Sequence, residues 1–423
     1  MAGMNDTAEM VTLANGVRIA FDPMPLATTA LGVWVRVGAR WEEARENGIA
    51  HLFEHMAFKG AGSRNAAQFV EAIEAVGGYL NASTGYERTN YTARTLKEDA
   101  PFALDLIADM MFDPHWKPDD LELEKNVVAQ ERNDANDAPD DRVFEMHQSE
   151  VFKNQPLGRP ILGTKESVAD VRVDDLIRFR AQHTVADRVV ISVAGGYERD
   201  AILEIAHKRF GHLAKGDAQY MPKGAPGAGE AVEARKLEQT HLVFSVGGVG
   251  ANDERARALG LLAEILGGGM ASRLFQEVRE KRGLVYNISA WSESYEDVGR
   301  FGFYASCEAA KAKEVARCVA DAMATIAAHG VTEAELARAK AVTIASMLMG
   351  AESPGARAES RAQQIFLFNE VRPFQVFRNK VEDVDRDTLK AVAELALAGP
   401  KGATAIGPKP GLAASGVFHK SFA

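Results

Sequence analysis

The chain has 423 residues, 46% of them apolar and 26% charged, with a formal net charge of −10 and a pI near 5.6. That length exceeds what one compact core organises, so two or three domains are expected. The acidic balance argues against nucleic acid or an anionic membrane as the main partner, because both call for a concentrated basic surface. No run of 18 or more apolar residues occurs, which argues against a transmembrane helix.

In chain order, the N-terminal stretch lacks a basic segment followed by an apolar one and lacks the Arg-rich character of a transit peptide, so it reads as a cytoplasmic start. The stretches VTLANGVRIAFDP and TTALGVWVRVGA alternate as antiparallel strands do, with a hairpin turn at Asn15-Gly16. Helical patterns follow in NGIAHLFEHMAFKG, NAAQFVEAIEAVGG, EDAPFALDLIADMMFD and PDDLELEKNVVAQERNDAND. DRVVISVAGGY then returns to strand and RDAILEIAHKRFGHL to helix. Between 215 and 230 the composition turns to Gly, Ala and Pro without an apolar period, which marks a linker. Cys307 and Cys318 are the two cysteines, too few for a disulfide framework, and both read as buried thiols.

The sequence after the linker repeats the order of the sequence before it. THLVFSVGGVGANDERARALGLLAEILGGG follows the strand, loop, helix, Gly order of residues 28–60. GLVYNI at 283–288 faces GGYLNA at 77–82, and LLAEI at 261–265 falls near HLFEH at 51–55. The expected fold class is therefore α+β, with two homologous domains, each a mostly antiparallel sheet packed with helices. They would span 1–214 and 231–423.

The sharpest chemistry lies in the first copy. On a helix, His51 and His55 project from one face and can reach one ion, and Glu54 stands beside that face without ligating. Asn47 is the expected N-cap and Gly60 the expected stop. Chance would produce such an H-x-x-E-H match in a chain of this composition with a probability on the order of 1 to 2%. A catalytic zinc needs a third protein ligand and an open position. Glu124 and Glu131 share one face of the helix that begins near Asp119, while Glu122 points away. Position alone does not choose between Glu124 and Glu131.

HLFEHMAFKG has the inverted zincin signature and resembles the zinc helix of the family that contains pitrilysin, insulin-degrading enzyme and the mitochondrial processing peptidase. PLGRPILG at 156–163 and GGYLNASTGYERTNY at 77–91 are also similar to that family. The resemblance extends over nearly the whole chain. It implies Zn2+ held by His51, His55 and Glu131, which stands at the family's spacing of about 76 residues after the second histidine. It implies Glu124 as the acid that hydrogen-bonds a ligating histidine, and Glu54 as the general base for a peptidase reaction. In VREKRGLVY, Arg279 and Tyr286 match the family's Arg/Tyr pair for substrate and oxyanion. Asn81 and Ala82 match its substrate-pairing edge strand.

Short members of this family assemble two chains, so the resemblance implies unfolded peptides as substrates inside a homodimer, or a heterodimer with a related subunit. Retention of both the zinc residues and the Arg/Tyr pair favours the homodimer. The competing expectation is a non-catalytic assembly subunit. It predicts damage to H-x-x-E-H or to Glu131, and all four residues stand here.

Overall fold

The computed structural model describes residues 7–216 and 221–422. The first six residues of the expected cytoplasmic start, residues 217–220 of the expected linker and residue 423 lie outside the described residues. A hairpin about Asn15-Gly16 joins β1 (Glu9–Thr12) to β2 (Arg18–Pro23), and β3 (Thr28–Val35) and α1 (Ile49–Ala57) follow. Two-residue strands β4 (Gly60–Ala61) and β5 (Arg64–Asn65) precede α2 (Ala66–Glu74), β6 (Tyr79–Thr84), β7 (Thr89–Leu96), α3 (Ala100–Phe112), α4 (Pro118–Asp137) and α5 (Pro139–Val151). The first half closes with α6 (Lys165–Asp170), α7 (Val173–His183), β8 (Val189–Gly195) and α8 (Arg199–Phe210).

The second half begins with β9 (Gly229–Ala234), β10 (Thr240–Gly247) and α9 (Ala256–Gly267). A π-helix over Phe275–Lys281 leads into β11 (Val285–Ser294) and β12 (Gly299–Cys307). Then come α10 (Ala312–His329), α11 (Glu333–Ala351), α12 (Pro354–Phe368), α13 (Phe374–Glu382), α14 (Arg386–Ala398), β13 (Gly402–Gly407), α15 (Lys409–Leu412) and α16 (Ala414–Lys420).

The two sheets carry the duplication. The first runs β1-β2-β8-β3-β7-β6, and the second runs β11-β12-β10-β13-β9. In each, one pair is parallel, β2 with β8 and β9 with β13, and the remaining pairs are antiparallel. Without β1, the orders and senses superimpose strand for strand. β8, VVISVAG, is buried at every position because helices cover both faces, which is why it reads as an unbroken apolar run. β7, TNYTARTL, alternates because only one of its faces meets the core. Each sheet has its own apolar cluster, one around Phe21, Val33, Leu52, Phe69 and Ile191 and the other around Phe244, Leu262, Phe301 and Leu389.

The chain divides into two compact units whose segments interleave. The first takes residues up to Arg132, then Arg159–Pro222 and Leu348–Phe374; the second takes Asn133–Gly158, Lys223–Met347 and the rest from Gln375. The linker composition suggests one cut near 215–230, whereas the packing exchanges one helix in each direction. In the first unit α12 lies on β2, β3 and β8, with Ala358, Ala362 and Ile365 against Ala20, Trp34 and Val190. In the second unit α5 lies on β9, β10 and β13, with Val143 against Val243 and Ile406.

Each exchanged helix is pinned by polar groups as well. In the first unit, Asp22 is buried and accepts from Arg357 Nε and Arg361 Nε, both at 2.8 Å, while Trp34 Nε1 donates to Glu359 at 2.6 Å. In the second, buried His147 bonds Ser245 Oγ at 2.7 Å and Thr404 Oγ1 at 3.0 Å.

Candidate metal centre

Helix α1 buries Ile49, Leu52, Phe53 and Met56 on its core side, which turns His51, Glu54 and His55 to the opposite, half-buried face. The expected caps are displaced. Gly48 is the N-cap, in a left-handed conformation with φ +93°, and Phe58 ends the helix in place of Gly60. Asn47 points elsewhere, donating to Glu42 and to the Pro160 carbonyl, both at 2.9 Å, because the loop ahead of the helix folds back on residues 159–167.

Helix α4 brings the third side chain. His51 Nε2 stands 3.8 Å and His55 Nε2 3.5 Å from the same oxygen, Glu131 Oε2, and the imidazole centroids are 4.6 Å apart. Donors about 2.0–2.1 Å from a tetrahedral ion lie roughly 3.3 Å from each other, so the spacing fits one small cation. Glu131 Oε2 has no hydrogen-bond donor in reach although it is buried. A buried carboxylate oxygen facing two imidazole nitrogens, with nothing donating to it, suits a ligand atom better than a structural one. Burial and the neighbouring His55 push His51 down to about 4, which keeps the ring in the neutral form that ligates. Among the described residues these three form the one cluster of histidine, cysteine and carboxylate groups able to hold a metal.

The surrounding side chains orient this set. His55 Nδ1 lies 2.8 Å from Glu124 Oε2, so Nδ1 carries the proton and Nε2 faces Glu131 with its lone pair. Glu124 is itself buried and pairs through its other oxygen with Lys59. Glu122 is exposed and bonded to Lys125, as its position on the far side of α4 requires. Glu54 Oε2 accepts a 2.5 Å hydrogen bond from Thr84 Oγ1 at the end of β6. Burial raises the Glu54 carboxyl, while Thr84 and His55 pull it down. Sequence reasoning missed Thr84 and Lys59. Thr84 shares a face of β6 with Ala82, a period-2 signal that was available; Lys59 stands four residues after His55, one turn on.

β6 is an edge strand of the first sheet, with Asn81 exposed and Ala82 only 8% exposed. The two therefore project to opposite faces, Ala82 into the core with α1 and Asn81 away from it.

In the second unit, the structure brings Arg279 and Tyr286 together. The guanidinium lies 5.5 Å from the Tyr286 ring centroid and 4.7 Å from that of Phe275. Arg279 sits in the π-helix, and Tyr286 falls at the register shift between Val285 and Asn287 in the β11–β12 pairing. The bulge turns Tyr286 outward, to 74% exposure, from a strand whose neighbouring Val285 is buried. Two separate backbone irregularities thus converge on this pair.

Known proteins resemble this chain over most of its length. The family model described as Insulinase (Peptidase family M16) matches residues 19–165, and that described as Peptidase M16 inactive domain matches residues 170–343. An uncharacterized zinc protease of Bacillus subtilis is 34% identical over 401 residues, covering 92% of this chain and 98% of the relative. The chain belongs to peptidase family M16. Another uncharacterized zinc protease, of Streptomyces coelicolor, is 34% identical over 95% of this chain and 90% of its own length. Two solved structures share the M16 fold. A protease from Helicobacter pylori superimposes with a TM-score of 0.88 at 22% identity, over 95% of this chain and 100% of its own. A chain of complex III from Candida albicans gives 0.85 at 20% identity, over 98% and 99%. No helix among the described residues is long and apolar enough to cross a membrane.

Proposed function

We propose that this M16 chain is a zinc metalloendopeptidase that hydrolyses peptide bonds in unfolded peptides. The observation that carries the reading is the convergence of two imidazole Nε2 atoms on the unpartnered Glu131 oxygen, with Glu54 on the same helix face. His51, His55 and Glu131 would hold the ion, and the relatives named zinc proteases support zinc as its identity. Bound there, zinc supplies Lewis acidity to the scissile carbonyl and to the attacking water.

The chain's own residues do the rest. Glu54 takes the proton from the attacking water and passes it to the departing amine. Thr84 fixes one oxygen of that carboxylate by its hydrogen bond, leaving the other free for the proton. Glu124 fixes the tautomer of His55. The unpaired edge of β6 takes an extended peptide by main-chain hydrogen bonds alongside Asn81 and Ala82. Arg279 binds substrate carboxyl or backbone oxygens, and Tyr286 donates to the developing oxyanion. Because one chain carries both sets, we assign them to a symmetric homodimer with an enclosed chamber in the cytoplasm, where the Arg/Tyr pair of one copy serves the zinc site of the other.

The test is metal analysis of the purified protein beside mass spectrometry of a peptide digest, for wild type and Glu54→Gln. Near-stoichiometric zinc in both and cleavage by the wild type alone is the expected result. Equal digestion by the variant removes Glu54 from its role, and a wild type that holds zinc without cleaving any peptide favours the assembly subunit.

A further inference from the structure

The start of α1 is held by a device that the proposed reaction leaves without a role. Gly48, the N-cap, has no side chain to satisfy the first amides of the helix. Glu42, six residues upstream and only 4% exposed, does so instead. Its Oε2 accepts from the Gly48 amide and from Asn47 Nδ2, and its Oε1 from the Ala50 amide, all at 2.9 Å. A carboxylate there also faces the positive end of the helix dipole.

Glu42 is clamped in turn by the segment that contains the motif residues RPILG. Arg159 Nη2 donates to the Glu42 carbonyl, and Ser167 Oγ donates to the Asn47 carbonyl at 2.6 Å. Gly48 and Gly163, at φ +93° and +70°, press together so closely that a Cβ on Gly48 would meet Gly163 Cα at 2.8 Å. Neither position admits a side chain. Burial pushes the Glu42 carboxyl up to about 7, and the Ala50, Asn47 and Gly48 donors with Arg159 oppose that shift.

The two histidines differ in how they are held. His55 has Glu124 on its Nδ1, whereas His51 Nδ1 is buried with no partner. The direction of the His51 ring therefore depends on its backbone, and the residue before it is Ala50, whose amide Glu42 grips. We propose that Glu42 is a positioning residue for the metal centre, aiming His51 through the first turn of α1, with Arg159 holding Glu42 in place. This rests on the zinc reading given above.

The experiment measures zinc affinity by competition with a chelator, together with amide exchange at Gly48 and Ala50, for wild type, Glu42→Ala, Glu42→Gln and Arg159→Met. Loss of an outer partner of a metal site typically costs 10–100-fold in affinity, and Glu42→Ala is expected near the lower end, about 10-fold. Exchange at Gly48 and Ala50 should quicken, and Glu42→Gln, which keeps an acceptor oxygen, should recover part of both effects. With zinc saturating, peptide KM should stay unchanged while kcat falls. Combined with His51→Ala the affinity loss should be non-additive, and combined with Glu124→Ala additive. Affinity within about twofold of wild type in Glu42→Ala, with exchange unchanged, overturns the proposal. Should Glu42→Ala not fold, Arg159→Met, which leaves the carboxylate in place, decides by the same two readouts. A wild type that takes up no zinc overturns the zinc reading itself, a result distinct from a wild type that binds zinc as tightly as its variants.

Discussion

Glu124 does two things at once: one oxygen holds the His55 ring and the other meets Lys59. Glu124→Ala should thus weaken zinc about 10–100-fold without changing the three proposed ligands, as read by chelator competition. Spacing on α4 left Glu124 and Glu131 as equals; the family resemblance separated them, and the distances agree with that order, because a helix face is legible in residue spacing while the partner it meets is not. His51, Glu54 and His55 were legible as one face because their spacing follows the helix period. Thr84 showed only its face of β6, since its meeting with Glu54 is a tertiary contact, and Glu42 was hidden because it caps α1 from outside the helical period.

A second residue-scale consequence concerns pH. His183 is buried and accepts from Arg188 at 2.7 Å, and burial with the Arg188 charge pushes it down to about 4. The unfolded chain protonates this ring near 6.5 and the folded protein only near 4, so its contribution is intact above 6.5 and is lost as pH falls towards 4. The loss approaches about 3 kcal/mol. His183→Gln, which keeps an acceptor and does not titrate, should flatten the acid limb of urea-unfolding stability over that window.

At the scale of elements, α12 shows what patterning reveals and what it withholds. Its apolar face was predictable from period, but nothing local says that the face covers β2, β3 and β8. The ion pairs are what tie it there: Arg357 and Arg361 both reach Asp22, which has no exposure at all. Stranding a buried charge outright costs about 3–5 kcal/mol, and because Arg361 still pairs with Asp22, Arg357→Met should cost less than that in chemical denaturation, while the double change Arg357→Met with Arg361→Met should reach it. The bulge at Tyr286 was equally hidden, since VYNISAWSES reads as a regular strand with no glycine to mark the irregularity.

At the scale of the molecule, the duplication was legible from repeated element order, and the matching strand orders bear it out. The exchange of helices was not, because a repeat in sequence is silent about which copy each segment serves. A fragment ending at residue 216 should be poorly soluble and bind an apolar dye, having lost the cover over Trp34 and the partners of Asp22. Adding a peptide of residues 348–374 should restore a cooperative thermal transition, and a fragment that melts cooperatively alone would contradict this account.

The same exchange bears on ancestry. A tandem gene can ordinarily undergo fission at its junction and leave two viable products, but here each product would depart with a helix the other requires. A gene cut at the junction would therefore be expected to give two products that are each unstable until they meet.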